Sequence, residues 1–154
     1  MSKDFGSAAL RLGAIVTRNK LLKKVFEVEV QFHEPASPSL VLATAMLSDR
    51  EWCHGFLKLS QERLAAAFRH VTNGMKEMGV EYLPGSNAGF FVWVDLSPYL
   101  PEEGTDRERE FQLAQKLVDG NVFLHPGEEH SVDVGWFRFV YSTRPEVVTE
   151  GLKR

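Results

Sequence analysis

Cysteine is almost absent from the chain: the single thiol, Cys53, cannot close an internal disulfide, so the fold depends on packing rather than on covalent cross-links. Cys53 stands among helix-forming residues and reads as a packed or half-exposed thiol. Long apolar runs are missing too, none approaching the ~20 residues that a membrane-spanning helix needs. The N-terminus lacks the charged-then-apolar pattern of a secretion signal, which makes the cytoplasm the expected location. There is no field of one charge sign. Eighteen Lys and Arg are interspersed with 21 Asp and Glu for a net charge of −3, which excludes the broad basic surface that nucleic acids require. No internal repeat or low-complexity tract appears, which excludes solenoids and arrays.

What is present is an apolar fraction of 44% in 154 residues, enough to bury a core. Leu12 to Thr17 is short, apolar and β-branched, and predicts a buried strand. The next stretch is ambiguous. Phe26, Val28, Val30 and Phe32 alternate with polar residues as in a strand, whereas Leu21, Leu22, Val25, Phe26 and Val28 form a helical stripe. Ser37-Pro38 reads as a helix N-cap with proline at the first position, ahead of a short apolar helix from Ser39 to Leu47. Ser48 and Glu51 have capping-box spacing, opening a long helix to about Met78 that Gly79 stops. Its stripe of Leu57, Leu64, Phe68, Val71 and Met75 is a core face rather than a cofactor site.

Beyond Gly79 the pattern becomes α+β. Strands are predicted at Val80 to Leu83, Phe90 to Leu96, Val122 to Leu124 and Trp136 to Tyr141. Glu102 to Asp106 reads as a short solvated loop. An amphipathic helix from Asp106 to Asp119 follows, with Phe111, Leu113, Ala114, Leu117 and Val118 on its apolar side. A last helix begins near Pro145.

Three places carry chemistry. Lys3 lies among small residues (Ser2, Gly6, Ser7, Ala8, Ala9), and Arg11 follows eight positions on as a planar cationic fork suited to phosphate. A positioned lysine amine is a covalent catalyst toward carbonyls, but composition alone favours a solvated side chain in a frayed terminus. Arg138 sits among aromatics in the final strand, where burial without a partner would be expensive; the alternative is a surface arginine on the strand's solvent side. His125-Pro126-Gly127-Glu128-Glu129-His130 gathers possible metal ligands, yet Pro126-Gly127 breaks the helical turns that such zinc motifs use, so no metal site is expected. His33, His54 and His70 show no evident partners.

Ser2-Lys3-Asp4-Phe5-Gly6 with Leu10-Arg11-Leu12-Gly13 resembles the lysine segment of the fold-type-I enzymes that use pyridoxal 5′-phosphate (PLP), the class I and II aminotransferases. It is most similar to 1-aminocyclopropane-1-carboxylate synthase and its aminotransferase-like relatives. Ser86 to Asp95 and Gly135-Trp136-Phe137-Arg138 resemble segments of the same family's small domain. Ser7 departs from the family, which usually has an aliphatic residue there.

The resemblance implies a Schiff-base lysine at Lys3, a cofactor-phosphate ligand at Arg11 and a substrate α-carboxylate ligand at Arg138. It implies a helix for the ambiguous stretch after Lys20 and a surface loop at Pro126-Gly127. The implied fold class is α/β: residues 1–59 as a remnant of the large PLP-binding domain, and residues 60–154 as a small C-terminal α+β domain introduced by a long helix.

The chain corresponds to the later part of the family sequence. The expected partners of the pyridine ring, and a serine three positions before the lysine, would lie upstream, and the last helix is expected to be cut short at Arg154. The expected activity is transamination of an amino acid in amino-acid or specialised metabolism, with this polypeptide alone a very weak catalyst. Synthase-type lyase chemistry and a noncatalytic remnant that pairs with a full-length relative stand as alternatives, and the family implies a homodimer.

Overall fold

The computed structural model describes residues 1–130 and 133–154, which divide into two units, Met1–Gln61 and Glu62–Arg154. In the first unit Asn19 opens helix α1, Lys20–Val30: its carboxamide oxygen accepts from the backbone N–H of Leu21 at 2.9 Å and of Leu22 at 3.3 Å. The helical reading of this stretch holds over the alternating one. Helix α2, Ser37–Ser48, is capped by Ala36 and takes Pro38 into its first turn, so the helix begins on the serine expected to cap it. Helix α3, Arg50–Met78, is opened by Asp49, whose carboxylate accepts from Trp52 N at 2.9 Å. The capping box expected from Ser48 and Glu51 is replaced by this single acidic cap, because Ser48 still belongs to α2.

The strand expected from Leu12 to Thr17 does not form. No residue from 11 to 19 is in a helix or a strand, and Ile15 and Val16 are 67% and 95% exposed. A strand is defined by its neighbour, and β-propensity without a pairing edge leaves the segment as irregular backbone.

The second unit holds a four-stranded antiparallel sheet in the order β1-β2-β4-β3. Its strands are β1 Glu81–Tyr82, β2 Phe91–Asp95, β3 His125–Pro126 and β4 Trp136–Val140. The third falls on His125–Pro126 rather than on the expected Val122 to Leu124, because only the later residues reach β4 in register, His125 opposite Arg138 and Pro126 opposite Phe137. Central pairing is the longest: Val92 faces Phe139, Trp93 faces Arg138 and Val94 faces Phe137. Alternation therefore sends Val92, Val94 and Phe137 to one side, where they bury against Val71 and Met75 of α3, Leu113 of helix α4 (Asp106–Asp119) and Val148 of helix α5 (Pro145–Lys153). Tyr141 closes this core, donating its hydroxyl to Gly89 O at 2.9 Å; burial raises its phenol above the ordinary value.

Gly79 ends α3 in the left-handed region, φ +69°, as its sequence position implies. Helix α4 carries a full capping box: Thr105 Oγ1 accepts from Glu108 N, and the Glu108 carboxylate accepts from Thr105 N at 2.8 Å. Two residues assigned to its apolar side, Phe111 and Val118, are instead exposed, and the buried stripe is Glu110, Leu113, Ala114 and Leu117. No helix among the described residues is long and apolar enough to cross a membrane.

Candidate functional site

Lys3 and Arg11 lie on one closed loop of the first unit. Phe5 N and Ser7 N both donate to Met1 O, at 3.1 and 3.4 Å, and the Met1 nitrogen donates to Leu12 O at 3.4 Å. A 3-10 turn, Ala8–Leu10, occupies the middle of the loop and ends on Arg11, whose backbone is left-handed at φ 47°. A non-glycine residue in that region costs about 1 kcal/mol or more. It is held there by its own N–H and by Nη1, both donating to Ala8 O at 3.3 Å. Lys3 and Arg11 are both exposed.

What fastens the loop is a contact that motif spacing did not show. Phe5 stacks on Trp52 and Phe56 of α3 with ring centroids 6.0 and 5.5 Å apart, and those two rings lie 5.2 Å from each other. Trp52 and Phe56, one helical turn apart, make a platform that residues 1–12 can seat on. Cys53 between them is half-exposed and donates its thiol to Met46 O at 3.1 Å. Space remains around the loop, since a side-chain carbon added at Gly6 or Gly13 would meet nothing within 4 Å.

Arg138 belongs to the second unit and sits on the face of the sheet opposite the core, in register with Trp93 on one side and His125 on the other. Neither sequence alternative describes it fully. The residue is half-buried; its guanidinium carbon lies 5.3 Å from the centroid of the Phe91 ring, and Nε is buried with no hydrogen-bond partner among the described residues. A guanidinium in contact with an aromatic face, with one N–H withdrawn from water and unanswered, suits a planar anion. Arg138 and His125 also border a cleft of about 760 Å³ against α5.

The neighbours of Arg138 include residues that the motif reading passed over. Phe91 and Trp93 share its face by strand alternation, a signal present in the sequence. The His125 and His130 rings lie 5.4 Å apart, and His130 contacts Trp93 at 5.5 Å. The Glu129 side chain lies outside the described residues, and no group of three potential metal ligands gathers among the described ones. His70, for which no partner was evident, meets Thr149 Oγ1 at 2.9 Å. Glu110 is 3% exposed and accepts from the Gly127 backbone N–H at 3.0 Å; it occupies the helical spacing of the apolar stripe, the one cue to its burial.

The chain as a whole is similar to known proteins. The chain is 34% identical over 155 residues to human 1-aminocyclopropane-1-carboxylate synthase-like protein 1, covering 99% of this chain and 30% of that protein. It is 32% identical over 157 residues to 1-aminocyclopropane-1-carboxylate synthase 7 of Arabidopsis thaliana, covering 100% of this chain and 34% of that one. The chain thus spans about a third of the length of the curated relatives it matches.

Among solved structures, a Thermus thermophilus aspartate aminotransferase mutant complexed with tryptophan superposes with a TM-score of 0.83 at 22% identity, over 99% of this chain and 38% of that one. A PLP-bound aminotransferase from Clostridium difficile 630 gives 0.69 at 20% identity over the same shares. These likenesses establish an aminotransferase fold, of which this chain covers part. The family profile described as aminotransferase class I and II matches residues 1–154, and the chain belongs to that family.

Proposed function

We propose that this chain carries the cofactor lysine and the substrate-carboxylate arginine of a PLP-dependent aminotransferase that acts on an amino acid in cytoplasmic amino-acid or specialised metabolism. In this reading residues 1–59 are part of the large cofactor-binding domain and residues 60–154 are the small domain. The observation that carries it is Arg138: a half-buried guanidinium with a buried, unanswered Nε is costly for a fold and is explained by an anionic ligand.

The residues present suit the cofactor at two of its ends. Lys3 offers an amine for its aldehyde and Arg11 a guanidinium for its phosphate, on one loop with open space at Gly6 and Gly13. PLP, when bound, supplies an electron sink for the charge that develops at the substrate Cα. Arg11 binds the phosphate and so fixes where the cofactor lies. Arg138 grips the α-carboxylate through paired N–H donors and thereby orients the Cα–H bond. The Lys3 amine takes the proton from Cα as general base. The exposed apolar side chains of α1 and α2, among them Leu21, Val25, Leu40 and Val41, support pairing with a second copy or a full-length relative as part of the same proposal.

Borohydride reduction of the protein incubated with limiting PLP, followed by peptide mass mapping, tests the proposal. Label confined to Lys3 and lost in Arg11→Ala is the expected result. Label scattered over surface lysines and unchanged by that substitution overturns it. The names of the curated relatives favour a second reading, a lyase that forms a cyclic product. Assaying keto acid against cyclic product in the PLP-loaded protein separates the two.

A further inference from the structure

Arg138 is held on its outer side by a strand too short to hold itself. Strand β3 has two residues, and Pro126 contributes no N–H, so its ladder against β4 cannot by itself resist a slip in register. The constraint comes from elsewhere. Glu110, 3% exposed on the core-facing side of α4, reaches the chain immediately after β3 and accepts from the buried Gly127 N–H at 3.0 Å.

We propose that Glu110 is a positioning residue for the carboxylate site: by tethering Gly127 to α4 it fixes the register of His125 opposite Arg138, and so fixes where the Arg138 guanidinium points. The inference rests on the reading of Arg138 as a carboxylate ligand. Three further observations support it. Glu110 is 3% exposed, so its bond to Gly127 N–H is shielded from competing water and holds the chain after β3 to α4. Among the described residues no cation pairs with Glu110, and its carboxylate is engaged by this amide. Finally, the tether ends one residue beyond β3, where a displacement would carry straight into the pair His125 and Arg138.

The test uses the 154-residue chain labelled with nitrogen-15, with acetate as the carboxylate probe. The Arg138 Nε–H and Gly127 N–H signals are followed in wild type, Glu110→Gln and Glu110→Met. Glutamine keeps an acceptor oxygen and is expected to leave both signals and the acetate affinity near wild type. Methionine keeps volume but removes the acceptor; it is expected to shift both signals and weaken acetate binding about fivefold or more.

The proposal is overturned if Glu110→Met moves the Gly127 amide but leaves the Arg138 signal and acetate affinity unchanged, since Glu110 is then a loop anchor alone. If wild type ignores acetate while Arg138 Nε–H still moves in Glu110→Met, the link from Glu110 to Arg138 is supported and the carboxylate reading beneath it falls. Should Glu110→Met fail to fold, Glu110→Asp shortens the same arm by one methylene, and the same two signals and the same titration decide.

Discussion

Replacing Arg138 by methionine separates what the residue does for the fold from what it does for a ligand. The guanidinium keeps a contact with the Phe91 ring, worth about 0.5–1 kcal/mol where such pairs are exposed, but its buried Nε has no acceptor among the described residues. The expected result for Arg138→Met is a thermal midpoint equal to or above wild type, together with loss of discrimination between an amino acid and the corresponding amine in the PLP-loaded protein. A fall in midpoint would show that the arginine supports the sheet.

Gly135 poses the opposite case. It has φ +88°, and a Cβ there would lie 2.6 Å from Ser97 Cα and 2.9 Å from Ser97 N, atoms of the backbone that cannot step aside. Gly135→Ala is therefore expected to cost about 3 kcal/mol, measured by denaturant unfolding. Gly135 immediately precedes β4 and Arg138 lies within it. Its aromatic-rich pattern was legible in the sequence, whereas the need for glycine beside Ser97 arises only once the two segments meet.

At the scale of the element, α4 shows how a helix end writes itself into pH dependence. Hydrogen bonds from the Thr105 backbone and hydroxyl hold the Glu108 carboxyl below its ordinary value. A carboxylate depressed in the folded state contributes stability that is complete above its unfolded pKa and is lost as pH falls through the folded one. The start of α4 is therefore expected to fray on acidification below the ordinary carboxylate range. Thr105→Ala should lower the thermal midpoint by a few degrees at neutral pH and flatten this acid dependence; helical circular dichroism across a pH series checks both.

Helices proved more legible than strands. Caps and a 3.6-residue period are local, so α4 was expected from Asp106 to Asp119 and lies there. The segment from Leu12 to Thr17 has equal β-propensity but no edge to pair with, and it forms nothing regular.

The two units differ in how much they bury. Among the described residues the buried apolar side chains Val71, Met75, Val92, Val94, Leu113, Phe137, Tyr141 and Val148 all belong to the second unit, and the first contributes Ala43. Helix α2 is apolar nearly all round and still exposes Leu40, Val41, Leu42 and Leu47. Hydrogen exchange on the whole chain should find the slowest amides in β2, β4 and the second half of α3, with α1 and α2 exchanging through local opening orders of magnitude faster. Equal protection in both units would contradict this distribution of the core.

The sequence by itself determined helices α2 to α5, and its resemblance to the family supplied helix α1 and singled out Lys3, Arg11 and Arg138 as candidate residues. These rest on local chemistry: caps, periodicity, and an amine or a guanidinium set in a recognisable frame. The tertiary structure alone decided that Phe5 seats the N-terminal loop on Trp52 and Phe56, that the third strand is His125–Pro126, and that Glu110 is buried with its carboxylate on Gly127 N–H. Each of these joins residues 17 to 51 positions apart or depends on which edge a strand finds, and no local pattern specifies which distant surface a side chain will meet.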